Sequence, residues 1–452
     1  MAKLARKLRL HDYFALAFGT MIGTGWLVLM DDWLGRGGPL GAALGFGVGG
    51  LLLLPVGYVY GQWVRRLPDA AGEAAYTAQV FPQSVSYFTG WMMLLAYFIV
   101  CPWEAVAVGK VTAYIFPWLD RMELYRVAGQ PVFLPRLALG AGLTIFLCVL
   151  NYRGVRLSAN FQKAMTSSIL LLFVVMVALS GTHGSGANFR PAFAGAPLLS
   201  ILLTLQIVPY FMTGFESAPK YAEEASPGFG GARYMTAIGM ALGVGAFFYA
   251  LAVLAVGYAA PWQRLLGHRF ATAIAFQEAL KTRWPVDLIL VMGMAGLFQC
   301  FNGNFAAATR LLFAFGRRGT IAPRFAAVHE KFLTPSTAVI AVTAATLAGL
   351  ALGDALLVPV TEVGSLASAT GWLMASASFF VIEKRSAART ITAAAVLVSL
   401  LLILMKLAPI FPGHFTWQEW VALLVWLALG AGLRRKAAEL PEHARAGVAS
   451  SD

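Results

Sequence analysis

Charged residues are scarce in this chain of 452 residues. They make up 12 % of it, whereas hydrophobic residues make up 59 %. Because soluble domains carry about 25 % charged residues, a soluble globule of this composition would leave large apolar surfaces in water. The same shortage of polar residues excludes disorder for most of the chain. We therefore expect a protein whose surroundings are largely lipid.

Cysteine is also rare, and familiar catalytic motifs are missing. The three cysteines lie in apolar stretches and form no CxxC pair. The sequence contains no H-E-x-x-H, G-x-S-x-G or P-loop motif, and no filter or pore motif of a channel. The sequence thus argues against an enzyme or a channel, and we expect neither catalytic residues nor a resident cofactor.

Long apolar runs dominate the chain. A membrane-spanning helix needs about 20 residues, whereas the strands of a membrane barrel are alternating segments of about 10 residues. The runs therefore predict an all-α polytopic membrane protein with about twelve transmembrane helices. The predicted spans lie at about 13–30, 40–62, 85–116, 133–151, 158–180, 198–221, 233–259, 286–316, 336–353, 357–382, 390–410 and 416–434.

The excess of positive charge has a topological explanation. The formal net charge is +13, and with twelve spans the loops rich in Lys and Arg all fall on one side. Cytoplasmic loops collect these residues, so nucleic acid is not needed to explain the charge. We predict a multi-pass protein of the plasma (inner) membrane with both termini in the cytoplasm. Residues 1–435 would form one transmembrane domain, and the polar residues 436–452 a disordered tail.

Two of the predicted spans carry helix-breaking residues at corresponding positions. Span 1 reads FGTMIGTGWLVLM, and span 6 reads IVPYFMTGFESAPK, interrupted by Pro209 and Gly214. Backbone groups freed by a break cannot face lipid and must line a protected cavity. Paired broken helices are typical of transporters built from inverted repeats. Alternatively, these glycines only allow close helix packing.

Several motifs resemble those of one transporter family. The segments GTMIGTGW, PYFMTGFESAPKYAEEAS, LPDAAGEAAYTAQVFP and NYRGVRLSANFQ are similar to signatures of the amino acid–polyamine–organocation permeases. The resemblance implies a five-plus-five inverted repeat of the leucine-transporter kind. Repeat one would cover about 10–180 and repeat two about 198–382, with two extra helices at about 390–434.

The same resemblance implies a substrate site between the two broken helices. Ile22, Gly23, Thr24 and Gly25 would hold a substrate carboxylate. Phe211, Met212, Thr213 and Gly214 would offer carbonyls to the amine, and Phe215 would form part of an aromatic gate. Three further residues near the site are expected to contact substrate: Trp26, Trp103 and Asn302.

Glu104 is an ionisable residue in the middle of span 3. Such a residue at membrane depth indicates function, so Glu104 would bind the cationic end of a substrate or carry a coupling proton. A structural role, bonded to backbone N–H groups of a break, is the alternative. Glu216 belongs to the span 6 signature, where a structural role and a gating or proton role are both open.

The coupling ion is open between sodium and a proton, and exchange without an ion is a third alternative. Many members of the family have a lysine in helix 5, and the resemblance puts Ile169 at its position. The absence of that lysine favours sodium, a hard cation that oxygen atoms could ligate. The residues considered for coupling are Gly19, Ile22, Ser168 and Thr309, with sodium a candidate at Gly19, Ile22 and Thr309.

These observations lead to one main prediction and one alternative. We expect a secondary active transporter that moves amino acids by alternating access, coupled to sodium or protons. The alternative is a transporter or exchanger of amines, polyamines or cationic amino acids that is anchored by Glu104. Its partners would be the small-molecule substrate and the lipid bilayer, without nucleic acid, and it would be a monomer or a homodimer.

Overall fold

The computed structural model of the protein describes residues 6–268 and 270–435, and for 356–360 it describes the backbone alone. Within these residues the chain is 78 % helical. Its one small sheet is an antiparallel hairpin of β1 (Glu123–Val127) and β2 (Gln130–Phe133). The predicted tail 436–452 lies outside the described residues.

The first half of the chain folds into eight α-helices, of which α2 and α4 are short. They are α1 Leu10–Met21, α2 Gly25–Val28, α3 Met30–Arg66, α4 Glu73–Thr77, α5 Gln83–Phe98, α6 Val100–Ile115, α7 Leu134–Arg153 and α8 Val155–His183. Helix α3 is kinked at Gly38, whose φ of 64° is open to glycine.

The second half contains nine further α-helices. They are α9 Pro197–Leu205, α10 Val208–Met212, α11 Gly231–Ala259, α12 Ala271–Leu280, α13 Trp284–Arg317, α14 Ser336–Leu350, α15 Leu357–Ile382, α16 Ser386–Leu407 and α17 Trp417–Leu433. Short 3-10 helices lie at Pro117–Asp120, Gly186–Phe189, Phe215–Glu224, Trp262–Leu265, Pro323–Ala326 and Gly353–Leu356.

Eight of the described helical segments are long and apolar enough to cross a membrane, with Gln83–Ile115 (α5 and α6) taken as one. The bent pair Pro197–Leu205 and Val208–Glu224 would make a ninth. The prediction of an all-α polytopic membrane protein is therefore confirmed in this general form. Each of the twelve predicted stretches coincides with helix. The count of twelve spans stays a prediction, because α1, α14 and α17 have only 12, 15 and 17 residues.

The helices differ in how far the protein covers them. The most apolar window of Gln83–Ile115 is 89 % buried, whereas those of α7 and α8 are 28 % buried. On α8, Leu171 and Val174 are 67 % and 65 % exposed. Apolar side chains pointing outward from a helix suit contact with lipid tails. Helices α5 and α6 thus lie in the interior, where α13 packs against both of them, and α1 packs against α11 and α13.

The last helix is attached to the interior through close aromatic contacts. The rings of Trp91 and Trp426 stack at 4.7 Å, and the Trp91 indole N–H donates to the Trp426 carbonyl at 2.9 Å. The Tyr87 hydroxyl donates to the Gly430 carbonyl at 2.8 Å. A Cβ atom at Gly430 would lie 2.3 Å from the Trp91 indole nitrogen, so the contact requires glycine.

We expect Gly430→Val to lower the midpoint of thermal unfolding by several degrees, since overpacking costs roughly 1–3 kcal/mol. Gly432→Val is the matched control, because a Cβ atom there meets nothing within 4 Å. The measurement is thermal unfolding of both variants in one detergent. Equal midpoints for the two variants would contradict the close packing at Gly430.

Candidate substrate-binding site

Helix α1 ends at Met21, and the chain is not helical again until α2 begins at Gly25. We call this interruption break 1. Its carbonyl oxygens are bonded by side chains from other helices, which removes the cost of leaving them unpaired in the membrane. The Thr20 carbonyl accepts from the Asn304 amide at 3.0 Å, the Met21 carbonyl from the Tyr249 hydroxyl at 2.7 Å and the Ile22 carbonyl from the Gln299 amide at 2.9 Å.

A second interruption, break 2, follows α10. Gly214 has a φ of 135°, and a Cβ atom on it would lie 2.7 Å from the backbone nitrogen of Met21. Glycine therefore lets the two breaks touch. The Gly214 N–H donates to both carboxylate oxygens of Glu216 at 3.1 Å. Glu216 is fully buried, and this geometry is that of a cap on break 2.

A small cavity lies between the two breaks. Its lining comes from α1, α2, α6, α10, α11 and α13, together with the chain at the breaks. The lining residues are Thr20, Met21, Gly23, Gly25, Val100, Trp103, Glu104, Tyr210, Phe211, Thr213, Tyr249, Cys300 and Asn304. Six of them belong to the predicted substrate-binding set, namely Gly23, Gly25, Trp103, Glu104, Phe211 and Thr213.

Glu104 is the only ionisable carboxyl group among the lining residues. It is 2 % exposed. The Thr24 hydroxyl donates to it at 3.0 Å, and the Cys300 side chain lies beside it in the lining of the cavity. Within residues 6–268 and 270–435 no cationic side chain acts on this carboxyl group.

Gly23 allows Glu104 to reach break 1. A Cβ atom at Gly23 would lie 2.2 Å from a carboxyl oxygen of Glu104. The carboxyl group of Glu104 thus lines the cavity and also accepts a hydrogen bond from the Thr24 hydroxyl of break 1.

Aromatic rings also line the cavity. Phe211 packs edge-on against Trp33, at 4.8 Å between centroids, and against Tyr249 at 5.9 Å. Tyr210 lies edge-on to Phe211 at 5.1 Å. Ring faces attract cations as well as apolar groups. A wall of this kind beside one carboxyl group suits a substrate with a cationic part.

Other residues of the predicted set lie beside the cavity without lining it. Ile22 and Thr24 form the backbone of break 1, and Gly214 forms that of break 2. Trp26 is fully buried and points toward Phe248, with 6.2 Å between the ring centroids. Trp26, which was expected to contact substrate, is thus not among the residues that line the cavity.

Met212 and Phe215 are also buried behind the cavity. The Phe215 ring packs against Tyr60 at 5.8 Å and Trp372 at 5.3 Å. An aromatic group next to break 2 is compatible with the predicted gate. Met212 lies close to the backbone of Gly50, where its methyl group would be 3.8 Å from a Cβ atom.

Asn302 does not line the cavity. Its amide nitrogen donates to the Gln162 side chain at 2.7 Å, and its oxygen accepts from Asn151 at 2.9 Å and from Ser158 at 3.1 Å. These partners lie on α7 and α8, so Asn302 joins helices. Asn304, two residues further along α13, is the asparagine that faces break 1.

The four residues considered for coupling are not brought together. The Thr309 hydroxyl donates to the Ala306 carbonyl at 2.7 Å and accepts from Arg310. Thr309 follows Gln299 by ten residues, which is about 15 Å along a helix, and Gln299 is the residue that bonds to Ile22. A single site made of Gly19, Ile22 and Thr309 is therefore not present in this geometry.

Ser168 and Ile169 occupy different sides of α8. The Ser168 hydroxyl donates to the Ala164 carbonyl of its own helix at 2.9 Å. Ile169 is fully buried, and both its Cδ1 atom and the Gly23 carbonyl lie within 3.0 Å of where a Cβ atom on Gly296 would be. An apolar side chain thus stands beside break 1 on α8.

Two fully buried ion pairs lie at the end of the bundle where α1 begins and α13 ends. Lys220 pairs with Glu73, and both side chains are fully buried. The Glu73 carboxylate also accepts from the Tyr60 hydroxyl at 2.8 Å. Arg310 forms two bonds to Glu224, at 3.2 and 3.3 Å. These pairs tie the segment Phe215–Glu224 to its neighbours.

Further ion pairs lie in the loops at the same end. Burial alone would raise the pKa of Asp69, but the guanidinium of Arg318 at 2.6 Å outweighs it and lowers that pKa. Hydrogen bonds from Arg385, helped by Arg66, hold the pKa of Glu383 at about 2. The stabilisation from Glu383 is therefore complete above about pH 4.5 and is lost as the pH falls toward 2.

Several residues of the site were missed by sequence reasoning. Tyr249 and Cys300 reach the cavity from α11 and α13, and Gln162 and Gln299 support break 1. A polar side chain in an apolar helix is a signal of function, and it could have identified both glutamines. Nothing in the sequence alone marks Tyr249 or Cys300.

A bundle of apolar helices with two touching breaks around a buried cavity is the architecture of a membrane transporter. The sequence matches the family described as amino acid permease over residues 8–430, and the chain belongs to that family. This membership points to a transporter rather than an enzyme.

Relatives with known names are distant but match along most of their length. A methylthioribose transporter of Bacillus subtilis is 24 % identical over 94 % of this chain and 92 % of its own. The amino-acid permease RocE of the same organism is 20 % identical, over 85 % of this chain and 82 % of its own. Its branched-chain amino acid permease BcaP is 23 % identical, over 94 % and 92 %.

We expect Lys220→Met and Glu73→Gln each to lower thermal stability strongly, because removing one partner of a buried ion pair costs roughly 3–5 kcal/mol. The double variant should recover part of the loss, since it leaves no buried charge unpaired. The measurement is thermal unfolding of all three variants.

Arg283→Met is the matched control for this cycle. It removes a pair in which Arg283 and Asp287 are 58 % and 55 % exposed, and such pairs contribute little. A double variant no more stable than the worse single variant would contradict a coupled pair.

Proposed function

We propose that this protein is a secondary active transporter that moves amino acids across the plasma membrane by alternating access. In this proposal the chain has twelve spans, arranged as a five-plus-five inverted repeat with two extra helices, and both termini are cytoplasmic. The family and the named permeases among its relatives support amino acid transport in general. The fit of helical segments to the twelve predicted stretches supports the topology.

The observation that carries the proposal is the position of Glu104. Its carboxyl group is buried in a cavity formed at two helix breaks, and no cationic side chain of the described residues acts on it. A lone carboxylate at membrane depth is costly unless it meets a cation or takes up a proton. A substrate ammonium group would supply that cation, and the aromatic wall would stabilise it further.

Break 1 supplies the complementary group for a substrate carboxylate. The first N–H groups of α2, from Gly25 and Trp26, have no acceptor within the helix. Gly25 lines the cavity. A zwitterionic amino acid would thus place its ammonium group at Glu104 and its carboxylate at the beginning of α2. The positions of Thr213 and Phe211 around the cavity support contact with the rest of the substrate.

For the coupling ion we propose a proton carried by Glu104. When no substrate is bound, protonation removes the unpaired charge from the cavity, and release of that proton restores the counter-ion for the ammonium group. The sodium alternative has less support, because the Ile22 carbonyl is already bonded by Gln299 and Thr309 lies elsewhere on α13.

Amines and cationic amino acids are the second candidate. Glu104 itself accepts from the Thr24 hydroxyl at 3.0 Å, and Thr24 is one of the residues predicted to hold the substrate carboxylate. A substrate without a carboxylate would need only Glu104 and the aromatic wall. This observation favours amines and cationic amino acids as the second candidate. The carboxyl group at the site argues against acidic amino acids under both candidates.

We expect neutral amino acids to raise the midpoint of thermal unfolding of the purified protein, because a ligand that binds only the folded state stabilises it. The decarboxylated amine of each active amino acid should stabilise less, since it leaves α2 without an anion. The measurement is a thermal-shift screen of matched pairs, followed by uptake of the active compound into proteoliposomes.

Glu104→Gln should remove the stabilisation by amino acids while the protein still folds, because glutamine is of equal size and can still accept from Thr24. Ser168→Ala is the control, as that hydroxyl bonds only to its own helix. Amines that stabilise as well as their amino acids would move the assignment to the alternative. Unchanged binding by Glu104→Gln would sink the role of Glu104 in both.

A further inference from the structure

A chain of buried side-chain amides connects break 1 to the helices around it. Starting at the Ile22 carbonyl, it runs through Gln299 and Gln162 to Asn302 and ends at Asn151. The five groups lie in break 1, on α13, on α8, on α13 again and on α7. All four amide side chains are fully buried. A polar chain of this length in an apolar bundle calls for a functional explanation.

The direction of the hydrogen bonds is fixed by acceptors at both ends. The Gln299 amide nitrogen must face the Ile22 carbonyl, at 2.9 Å, and its oxygen then accepts from the Thr166 hydroxyl at 2.9 Å. The Gln162 nitrogen donates to the Gln299 backbone carbonyl at 3.0 Å, so its oxygen faces the Asn302 nitrogen. At the far end Asn151 donates to the Leu147 carbonyl at 3.0 Å.

Gly19 makes room for this chain against α1. A Cβ atom on Gly19 would lie 2.1 Å from the Gln162 amide nitrogen and 3.2 Å from the Gln299 side-chain oxygen. Gly19 was predicted to offer its carbonyl to sodium. Its position against two amides indicates instead that the absence of a side chain is what matters there.

The donor set does not fit sodium at the Ile22 carbonyl. A cation there needs several oxygen ligands, but the group that faces this carbonyl is an N–H donor. Ile169 of α8, which lies beside the Gly23 carbonyl of break 1, is apolar and fully buried. The two hydroxyl groups predicted as ligands, on Ser168 and Thr309, bond to backbone carbonyls of their own helices.

We infer that Gln299 is a positioning residue whose neutral amide replaces a bound cation as the partner of the Ile22 carbonyl in break 1. It holds the freed carbonyl of Ile22 against α13 and, through Gln162 and Asn302, against α7 and α8. Transport then needs no sodium for this contact. The inference rests on the proposed function, because break 1 belongs to a transport path only if the protein is a transporter of the proposed kind.

The test compares the wild-type protein with Gln299→Glu and Gln299→Met. A glutamate of nearly equal size cannot donate to the Ile22 carbonyl. Together with that carbonyl and the Thr166 hydroxyl it forms an all-oxygen set, which suits a hard cation. Methionine fills the same space without a donor or a charge. Sodium is exchanged for potassium or N-methylglucamine at constant ionic strength.

The first arm is thermal unfolding without any substrate. We expect the wild-type midpoint to be the same in sodium, potassium and N-methylglucamine. Sodium alone should raise the midpoint of Gln299→Glu by several degrees, since a bound cation stabilises the folded state. Gln299→Met should be destabilised and insensitive to sodium. A merely structural role of Gln299 would not create this sodium response.

The second arm is uptake of the stabilising amino acid into proteoliposomes. Sodium should raise the rate of Gln299→Glu about tenfold, a typical size for coupling between sites, and leave the wild type unchanged. A sodium-specific rise in the wild-type midpoint overturns the inference even if Gln299→Glu fails to fold. So does a folded Gln299→Glu that ignores sodium. If no amino acid is transported the proposed function fails, whereas the substrate-free arm still decides this inference.

Discussion

Backbone groups that leave a helix inside a membrane must find hydrogen-bond partners without water, and the structure around the cavity follows from this constraint. Three successive carbonyls, of Thr20, Met21 and Ile22, are each bonded by a side chain from α11 or α13. At break 2 the freed N–H of Gly214 bonds within its own segment, to the carboxylate of Glu216. The two breaks are therefore held by different means. Break 1 depends on side chains from other helices, whereas break 2 is capped by a residue of its own segment.

The distribution of charge follows from the same cost of polar groups in lipid. The fully buried ion pairs of Lys220 and Arg310 lie at the end of the bundle where α13 finishes, each with an acidic partner. The cavity itself has a single carboxyl group with no cationic neighbour among the described residues. A binding site that keeps one unpaired charge is incomplete without either a proton or a ligand, and such incompleteness is a general basis for selectivity.

The sequence predicted the breaks well and the inward faces of the helices poorly. Glycines and Pro209 mark the breaks because they punctuate a helix whatever surrounds it. The direction of a side chain after a break depends on how the chain re-enters a helix, and the sequence does not reveal this. Trp26 was therefore expected at the cavity, whereas it packs on Phe248. Asn302 was expected at the substrate because it is polar at depth. Its neighbour Asn304 faces break 1, since a difference of two positions turns a helix by more than half a circle.

The thiol of Cys300 lies in the wall of the cavity, beside Glu104 and 3.2 Å from the Thr20 carbonyl. Cys101 is buried elsewhere on α6, and Cys148 is partly covered on α7. The protein thus carries one native thiol sulfur at the junction of its two breaks. A water-soluble alkylating reagent can reach that atom only while the cavity is open to the side from which the reagent is added. The chain therefore contains its own reporter of access, which requires no engineered cysteine.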